Sequence, residues 1–189
     1  MKITPFKLPG LFLIEPVVFG DSRGYFFESF REDKLHALGI TQCFVQDNES
    51  KSHYGVLRGL HYQTPPFTQT KIVRVLHGTI LDVVVDIRKD SPTFGQHASI
   101  ELSNENKYQL LIPRGFAHGF VVLSSEAVFA YKCDNYYSKE HDSGIAFNDP
   151  QLAIDWRLPS KDLIISDKDS KQPLLKDAKL FTTAEYCVS

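Results

Sequence analysis

Alternating apolar and polar residues mark Ile80–Arg88 as the clearest strand of the chain. One face of this segment is entirely apolar and consists of Leu81, Val83, Val85 and Ile87. Asp82, Asp86 and Arg88 occupy the other face, and a repeat of two residues is typical of a half-buried β-strand. We therefore interpret Asp82 and Asp86 as a solvated face. A buried ion pair between one of these carboxylates and a nearby arginine is the alternative.

Short apolar runs of similar character recur along the chain, with turn residues between them. These runs are Leu11–Phe19, Tyr25–Phe30, Lys71–Leu76, His97–Leu102, Tyr108–Ile112, Gly119–Leu123, Val128–Cys133 and Leu152–Trp156. Strands at this spacing predict an all-β sandwich or barrel. His77-Gly78 predicts a hairpin before Ile80. Arg31–Leu38 predicts a short helix that ends at Gly39, and the tail from Pro159 to Ser189 predicts loops and weak helix.

The composition narrows the class of protein. A chain of 189 residues favours a single domain over 1–189, with a short N-terminal strand extension and a C-terminal tail of loops and helix. The formal charge of −2 predicts no nucleic-acid partner. No apolar run is long enough for a membrane span, and no secretory leader is recognisable. Three widely spaced cysteines indicate a reducing compartment, so we expect a cytoplasmic protein.

Two motifs carry the candidate chemistry. Pro113-x-Gly115-x-x-His118 matches the second motif of the cupin superfamily. In metal-binding cupins the first motif supplies two histidines and a carboxylate, but this chain places His61, Gln63 and Lys71 in that frame, followed by Gly78. An ammonium group cannot ligate a divalent cation and would repel one, so we predict no bound metal. We expect no other cofactor either.

Histidine, lysine and tyrosine suit proton abstraction next to a carbonyl group. Histidine has an unperturbed pKa near ~6.5 and can take and return protons near neutrality. The ammonium group of Lys71 can stabilise the enolate oxygen that then forms. A proton donor on the opposite face is needed for inversion, and Tyr131 and Tyr137 follow His118 within VFAYKCDNYY.

Several longer motifs, taken in their order along the chain, narrow the resemblance from the cupin superfamily to one family. RGLHYQ, VVVDIRKDSPTFG, LSNENK, IPRGFAHGF, YKCDNYYS and NDP lie between Val18 and Leu175. In this order they resemble the dTDP-4-dehydrorhamnose 3,5-epimerase family. The resemblance implies a cupin-type jelly-roll barrel with short peripheral helices. It also implies a dTDP-linked 4-keto-6-deoxy hexose as substrate, inverted at C3 and C5.

The resemblance further implies roles for individual residues. His61 is the expected general base, Asp169 its carboxylate partner, Lys71 the enolate stabiliser and Tyr131 the proton donor. The expected substrate-binding residues are Arg23, Glu28, Gln46, Asp47, Asn48, Arg58, His118, Tyr137, Asp142 and Lys168. In the family the counterparts of Arg23 and Glu28 come from the neighbouring subunit, which implies a homodimer with a shared site.

Asp142 and Phe147 depart from the family pattern, where glutamate and tryptophan are common, and both changes bear on contacts with the base or sugar. Epimerisation at C3 alone or C5 alone, ketoisomerisation, and a GDP-linked keto sugar are open alternatives. A metal-dependent cupin oxygenase and a non-catalytic sugar-binding cupin are the alternatives from other classes.

Overall fold

The computed structural model describes residues 1–187, and within them β-strands predominate. The strands are β1 Lys2–Pro5, β2 Phe12–Glu15, β3 Phe19–Asp21, β4 Gly24–Phe26, β5 Gln46–His53, β6 Val56–Gln63, β7 Lys71–His77, β8 Thr79–Asp86, β9 His97–Ser103, β10 Gln109–Ile112, β11 Phe116–Val122, β12 Glu126–Cys133, β13 Asp142–Gly144 and β14 Ile164–Ile165. The helices are α1 Glu32–His36 and α2 Thr183–Tyr186, and 3₁₀ turns span Ser160–Asp162, Asp169–Lys171 and Leu175–Asp177.

Two sheets face each other and form the barrel. The first has the order β1-β2-β10-β7-β12-β5, and the second has the order β13-β6-β11-β8-β9, with β14 parallel to β6. A separate hairpin joins β3 and β4. Apolar side chains from both sheets, including Val73, Val84, Leu110 and Phe129, fill the space between them. The predicted all-β jelly roll of the cupin type is confirmed, while the single-domain boundary stays a prediction.

Strand β8 is buried on both faces, which corrects the solvated reading of its polar side. Leu81, Val83 and Val85 pack against the segment that follows β13, in a cluster that includes Trp156 and Tyr186. Side chains alternate along a strand, so Asp82 and Asp86 lie on the opposite, barrel-facing side. Both carboxylates have no exposed surface. The repeat of two residues was read correctly, but the sequence did not show that the C-terminal segment covers the apolar face.

The Asp86 carboxylate forms the buried ion pair that was the alternative reading. It lies 2.6 Å from Nη2 of Arg88 and accepts further hydrogen bonds from the hydroxyls of Ser91 and Thr93. These donors outweigh the cost of burial and hold the pKa of Asp86 below its usual value. Arg88 also lies over the ring of Phe116, 4.6 Å from its centroid, so this network ties β8 to β11.

The hairpin predicted at His77-Gly78 is wrong. Strand β7 pairs with β10 and β12, whereas β8 pairs with β9 and β11, so this turn carries the chain from one sheet to the other. Gly78 has a φ of +79°, and a Cβ there would collide with the carbonyl oxygen of Glu126. The glycine therefore marks a crossing between sheets, which a turn signal cannot distinguish from a hairpin.

The predicted strands at residues 97–102, 108–112, 119–123 and 128–133 are confirmed as β9 to β12, and the helix at 31–38 is confirmed as the shorter α1. Two predictions are wrong in extent: residues 11–19 divide into β2 and β3, and residues 25–30 contribute only to β4. Residues 152–156 form no strand. The polar stretch after Val45, not predicted as a strand, is β5, because its alternate residues face the barrel interior.

The tail predicted as loops and weak helix contains three 3₁₀ turns, the two-residue β14 and α2. Residues 188–189 of that prediction lie outside the described residues. The helix α2 begins with a capping box between Thr182 and Glu185. Among residues 1–187, neither helix has the length and apolar character needed to cross a membrane.

Candidate active site

A cavity of about 250 Å³ opens between the two sheets. Strands β5, β6, β7, β11 and β12 line it with Asn48, Glu49, Ser50, Arg58, His61, Lys71, His118, Phe120, Phe129 and Tyr131. Three of the four predicted catalytic residues and three of the predicted binding residues therefore meet in one place. Phe120 and Phe129, whose ring centroids lie 4.4 Å apart, give the cavity an apolar wall.

His61, which is partly exposed, and Asp169, which is buried, form a pair at the edge of this cavity. Nε2 of His61 lies 2.6 Å from Oδ1 of Asp169, whose other oxygen accepts a hydrogen bond from the backbone N–H of Gly59 at 3.3 Å. Burial raises the pKa of Asp169, but the bonds from His61 and Gly59 outweigh it, and the pKa lies below its usual value. An ionised carboxylate only accepts hydrogen bonds, so Nε2 carries the proton. Nδ1 is then the ring nitrogen that is free to act as a base.

The ammonium group of Lys71 stands in the same cavity, on β7. Among the described residues, its only hydrogen-bonding, ionic or ring contact is with the ring of Tyr131, whose centroid lies 5.7 Å from Nζ. Burial lowers the pKa of Lys71, and the nearby Cys133, Asp142 and Asp82 offset only part of this effect. A cation held without an acceptor in a low-dielectric cavity is suited to stabilise an anion that forms there.

Tyr131 lies on β12, opposite Asn48 of β5. Its ring packs against Phe129, with 5.7 Å between the centroids. Burial raises the pKa of Tyr131 to about 12, so the phenol keeps its proton near neutrality. The group is therefore available as a proton donor and not as a base.

A second pair of histidine and aspartate lies on β11 and β8, and β11 is the strand next to the one that carries His61. His118 of β11 is the Cα partner of His61 in β6, and its Nε2 lies 2.8 Å from Oδ2 of Asp82. Both side chains are buried, and Oδ1 of Asp82 has no hydrogen-bond partner among the described residues. Sequence reasoning missed Asp82, because its alternation with apolar residues gave the signal of a solvated strand face.

The predicted nucleotide-binding residues fall into separate groups. Nε of Arg58 is held by Ser52 Oγ at 3.0 Å, and Arg58 and Asn48 both line the cavity. Asp142 accepts a hydrogen bond from the Tyr137 hydroxyl at 2.9 Å and pairs with the ammonium group of Lys168 at 2.5 Å. The structure thus brings Tyr137, Asp142 and Lys168 together as one polar cluster.

Two further predicted residues lie on β5. Gln46 hydrogen bonds Asn48 at 3.0 Å and also accepts a hydrogen bond from the backbone N–H of Tyr137. Asp47 points to the outer face of the sheet, where its carboxylate pairs with Lys132 at 2.9 Å. Gln46 therefore connects the cavity with the Tyr137 loop, whereas Asp47 does not line the cavity.

Arg23 and Glu28 are not brought into the cavity by this chain. Arg23 lies on the β3–β4 hairpin with 87% of its side chain exposed, and its guanidinium pairs with Asp21 at 2.6 Å. Glu28 pairs with Arg31 at 2.7 Å. Both residues lie in the segment between β2 and β5, outside the cavity.

Two of the positions that carry metal ligands in the cupin frame carry Lys71 and Gln63 in this chain. Lys71 presents its ammonium group there, and the Gln63 amide is bonded to backbone groups of two loops. Among residues 1–187, no group of three or more His, Cys, Asp or Glu side chains is arranged to hold a metal ion.

The fold and this site define a barrel protein of the cupin type whose interior carries acid–base side chains. Comparison with known proteins identifies the family. Residues 5–177 match the model described as dTDP-4-dehydrorhamnose 3,5-epimerase, and the chain belongs to that family. A dTDP-4-dehydrorhamnose 3,5-epimerase of Shigella flexneri is 50% identical over 182 residues, which cover 96% of this chain and 99% of the relative.

Solved structures give the same result. A dTDP-6-deoxy-D-glucose-3,5-epimerase from Legionella pneumophila, in complex with dTDP-4-keto-L-rhamnose, is 51% identical with a TM-score of 0.92, and the match covers 96% of this chain and 97% of that one. A 3'-monoepimerase from Streptomyces bikiniensis, in complex with dTDP-quinovose, is 32% identical with a TM-score of 0.89, covering 96% and 94%. The fold is therefore common to epimerases of more than one specificity.

Proposed function

We propose that this protein inverts C3 and C5 of a dTDP-linked 4-keto-6-deoxy hexose through an enolate and needs no cofactor. The observation that carries the proposal is the convergence of His61, Lys71 and Tyr131 on one cavity, with Asp169 behind His61. Family membership supports the reaction and the substrate class. The assignment of each step to a residue rests on the geometry of the site.

In the proposed mechanism, Nδ1 of His61 takes the proton from the carbon next to the C4 ketone. The electron pair of that C–H bond forms the enolate, and Lys71 donates a hydrogen bond to its oxygen. Tyr131 then delivers its proton to the opposite face of the carbon, and the electron pair of the enolate forms the new C–H bond. Water returns a proton to the Tyr131 phenolate and takes the one held by His61, which restores both side chains. General base catalysis contributes about 10²–10⁴ in rate, and one donor to an oxyanion contributes about 2.7–4 kcal/mol.

Arg58 and the polar cluster of Tyr137, Asp142 and Lys168 are proposed to hold the nucleotide. A planar guanidinium matches the oxygens of a diphosphate, and Arg58 lines the cavity next to the dyad. Tyr137 is 55% exposed as a residue, which leaves its ring accessible to a base or sugar. Asp142 is shorter than the glutamate common in the family, but its carboxylate reaches both Tyr137 and Lys168.

A homodimer with a shared site is part of the proposal. The segment around the β3–β4 hairpin exposes Val17, Val18, Phe19, Tyr25 and Phe26. Large apolar side chains clustered on an exposed segment are typical of an interface. A second copy that covers this hairpin would receive its charged side chains, and those of Arg23 and Glu28 would then complete the partner's nucleotide site.

We further propose that the enzyme works in the cytoplasm. Cys43, Cys133 and Cys187 are free thiols. Free thiols suit a reducing compartment. Localisation of a fluorescently tagged chain in its host would test this part of the proposal.

Epimerisation at C3 alone is the second candidate. It is favoured by the structural match to a 3'-monoepimerase, which shares the fold over nearly the whole chain. The base and the acid of the proposed mechanism serve either outcome, because the number of inverted carbons depends on how the sugar turns within the cavity.

The test is incubation of the protein with dTDP-4-keto-6-deoxyglucose in deuterated water, followed by mass and NMR analysis of the sugar. Deuterium at both C3 and C5 with inversion at both carbons is expected. Deuterium at C3 alone would establish the second candidate. The GDP-linked sugar serves as the comparison substrate, and no exchange with either nucleotide sugar would refute the proposed activity.

A further inference from the structure

Gln63 is buried and bridges two loops through its side-chain amide. Nε2 donates hydrogen bonds to the carbonyl oxygens of Phe67 at 2.7 Å and Tyr136 at 3.2 Å, and Oε1 accepts one from the N–H of Ser138 at 2.6 Å. Only 6% of the residue is exposed. All bonds of the amide therefore go to backbone groups, and two of them hold the residues on either side of Tyr137.

Strand β6 connects this bridge directly to the proposed base. Gln63 follows His61 by two residues, so the two side chains leave the same face of the strand. Asp142, which bonds the Tyr137 hydroxyl, is the Cα partner of Gln63 in the pairing of β13 with β6. The backbone and the hydroxyl of Tyr137 are thus both fixed relative to the same point of β6.

The exposure of Tyr137 makes its position dependent on these bonds. With 55% of the residue exposed, its ring has little packing to hold it. Its own N–H donates to Oε1 of Gln46 at 3.0 Å, and Gln63 holds the residue before it and the residue after it. The backbone hydrogen bonds on both sides of Tyr137, together with the bond from its hydroxyl to Asp142, therefore set the direction of the side chain.

We infer that Gln63 is a positioning residue that sets the distance between the Tyr137 loop and His61, and so aligns a bound nucleotide sugar with the base. This inference rests on the proposed function. A glutamine suits the task because one amide supplies donors to two carbonyl groups and an acceptor to one N–H. The histidine of metal-binding cupins at this place in the frame has no geometry for those three bonds.

The Gln63→Glu variant removes the donors and keeps the acceptor. A carboxylate would face the carbonyl oxygens of Phe67 and Tyr136, which repel it, so the loop should move away from β6. We expect the Kd for dTDP and the KM for the keto sugar to rise by about tenfold, as for the loss of one or two net hydrogen bonds. The pH profile of kcat at saturating substrate should keep its shape, since His61, Lys71 and Tyr131 remain.

Asn106→Asp is the matched control. The Asn106 side chain also makes three hydrogen bonds to backbone groups: it accepts from the N–H groups of Ser103 and Tyr108 and donates to the carbonyl of Glu101. It does not line the cavity. The Kd of the Asn106→Asp variant for dTDP should equal that of the parent. A shift of the same size in this control would show that any change from amide to carboxylate at a backbone-bonded side chain weakens binding, and the inference would be overturned.

A double-mutant cycle with Tyr137→Ala gives the decisive result. If Gln63 acts through the Tyr137 loop, Gln63→Glu should weaken dTDP binding much less when Tyr137 is already absent. Additive losses, or an unchanged Kd in the single variant, would overturn the inference. Gln63→Asn replaces Gln63→Glu in the cycle if the charged variant does not fold. The cycle measures dTDP binding alone, so a parent that binds dTDP without turnover would refute the proposed function and leave this test intact.

Discussion

Nε2 of His61 lies 2.6 Å from Oδ1 of Asp169, although 108 residues separate them in the chain. The carboxylate comes from a 3₁₀ turn in the C-terminal segment, which lies against β6 and brings Asp169 to the edge of the barrel. Its second oxygen is bonded to Gly59, so its position is fixed from the same strand that carries His61. The C-terminal segment is therefore part of the site as well as a cover for the barrel.

Asp169→Asn should lower kcat by about 10²-fold or more. The amide cannot stabilise an imidazolium ion, and it can donate to Nε2, which would place the ring proton on Nδ1. Steady-state rates of epimerisation measure the effect. Asp167→Asn, two residues earlier on the exposed side of the turn, is the control and should act like the parent. A loss below threefold for Asp169→Asn would remove the carboxylate from the mechanism.

Lys71→Ala should lower kcat by about 10²–10³, because the enolate oxygen loses its donor. Lys51→Ala, which removes an exposed ammonium group paired with Glu126, should leave kcat unchanged. The pH profile gives an independent check. Burial lowers the pKa of Lys71, so activity should fall on the alkaline side at a pH below the usual lysine value of about 10.4.

Lys71→Arg keeps the charge at every accessible pH, so this alkaline decline should disappear even if the maximum rate is lower. Tyr131 does not cause the decline, since its raised pKa of about 12 keeps it protonated over that range. An unchanged alkaline limb in Lys71→Arg would show that another group titrates there.

Arg88→Met should destabilise the fold by about 3–5 kcal/mol, because it leaves the Asp86 carboxylate buried without its cation. Urea denaturation measures the free energy of unfolding. The control Arg157→Met breaks a half-exposed pair with Glu101 and should cost less than about 1 kcal/mol. The pKa of Asp86 is lowered, so the stability it contributes is present above the pKa of an unfolded aspartate and is lost as the pH falls through the lower folded value. A cost below about 1 kcal/mol for Arg88→Met would contradict this view of the network.

Hybrid dimers test the shared site. Arg23→Ala and His61→Ala should each have little activity alone at low substrate concentration. If Arg23 serves the partner's cavity, one site of each hybrid receives both defects and the other receives none. When the two variants are unfolded, mixed and refolded together, the activity should then rise to at most about a quarter of the parental activity. If the refolded mixture is no more active than the two separate variants, then Arg23 either serves the same site as His61 of its own chain or serves no site.

The sequence predicted which residues meet in the cavity better than it predicted the path of the chain. The cupin frame located His61, Lys71 and His118, because its spacing brings these positions to one cavity even where a lysine stands in place of a ligand. Asp82 was misread, since alternation along a strand shows two faces without showing which one meets solvent. The turn at Gly78 was misread for a related reason: local turn signals carry no information about which sheet the next strand joins.

The most direct test of the central claim follows exchange and inversion together in deuterated water for the parent, His61→Ala and Tyr131→Phe. The parent should exchange and invert C3 and C5, and His61→Ala should do neither while it still binds dTDP. Tyr131→Phe should lose inversion but return substrate that carries deuterium, because His61 alone can remove and restore a proton on one face. Exchange at the parental rate in His61→Ala would contradict the account.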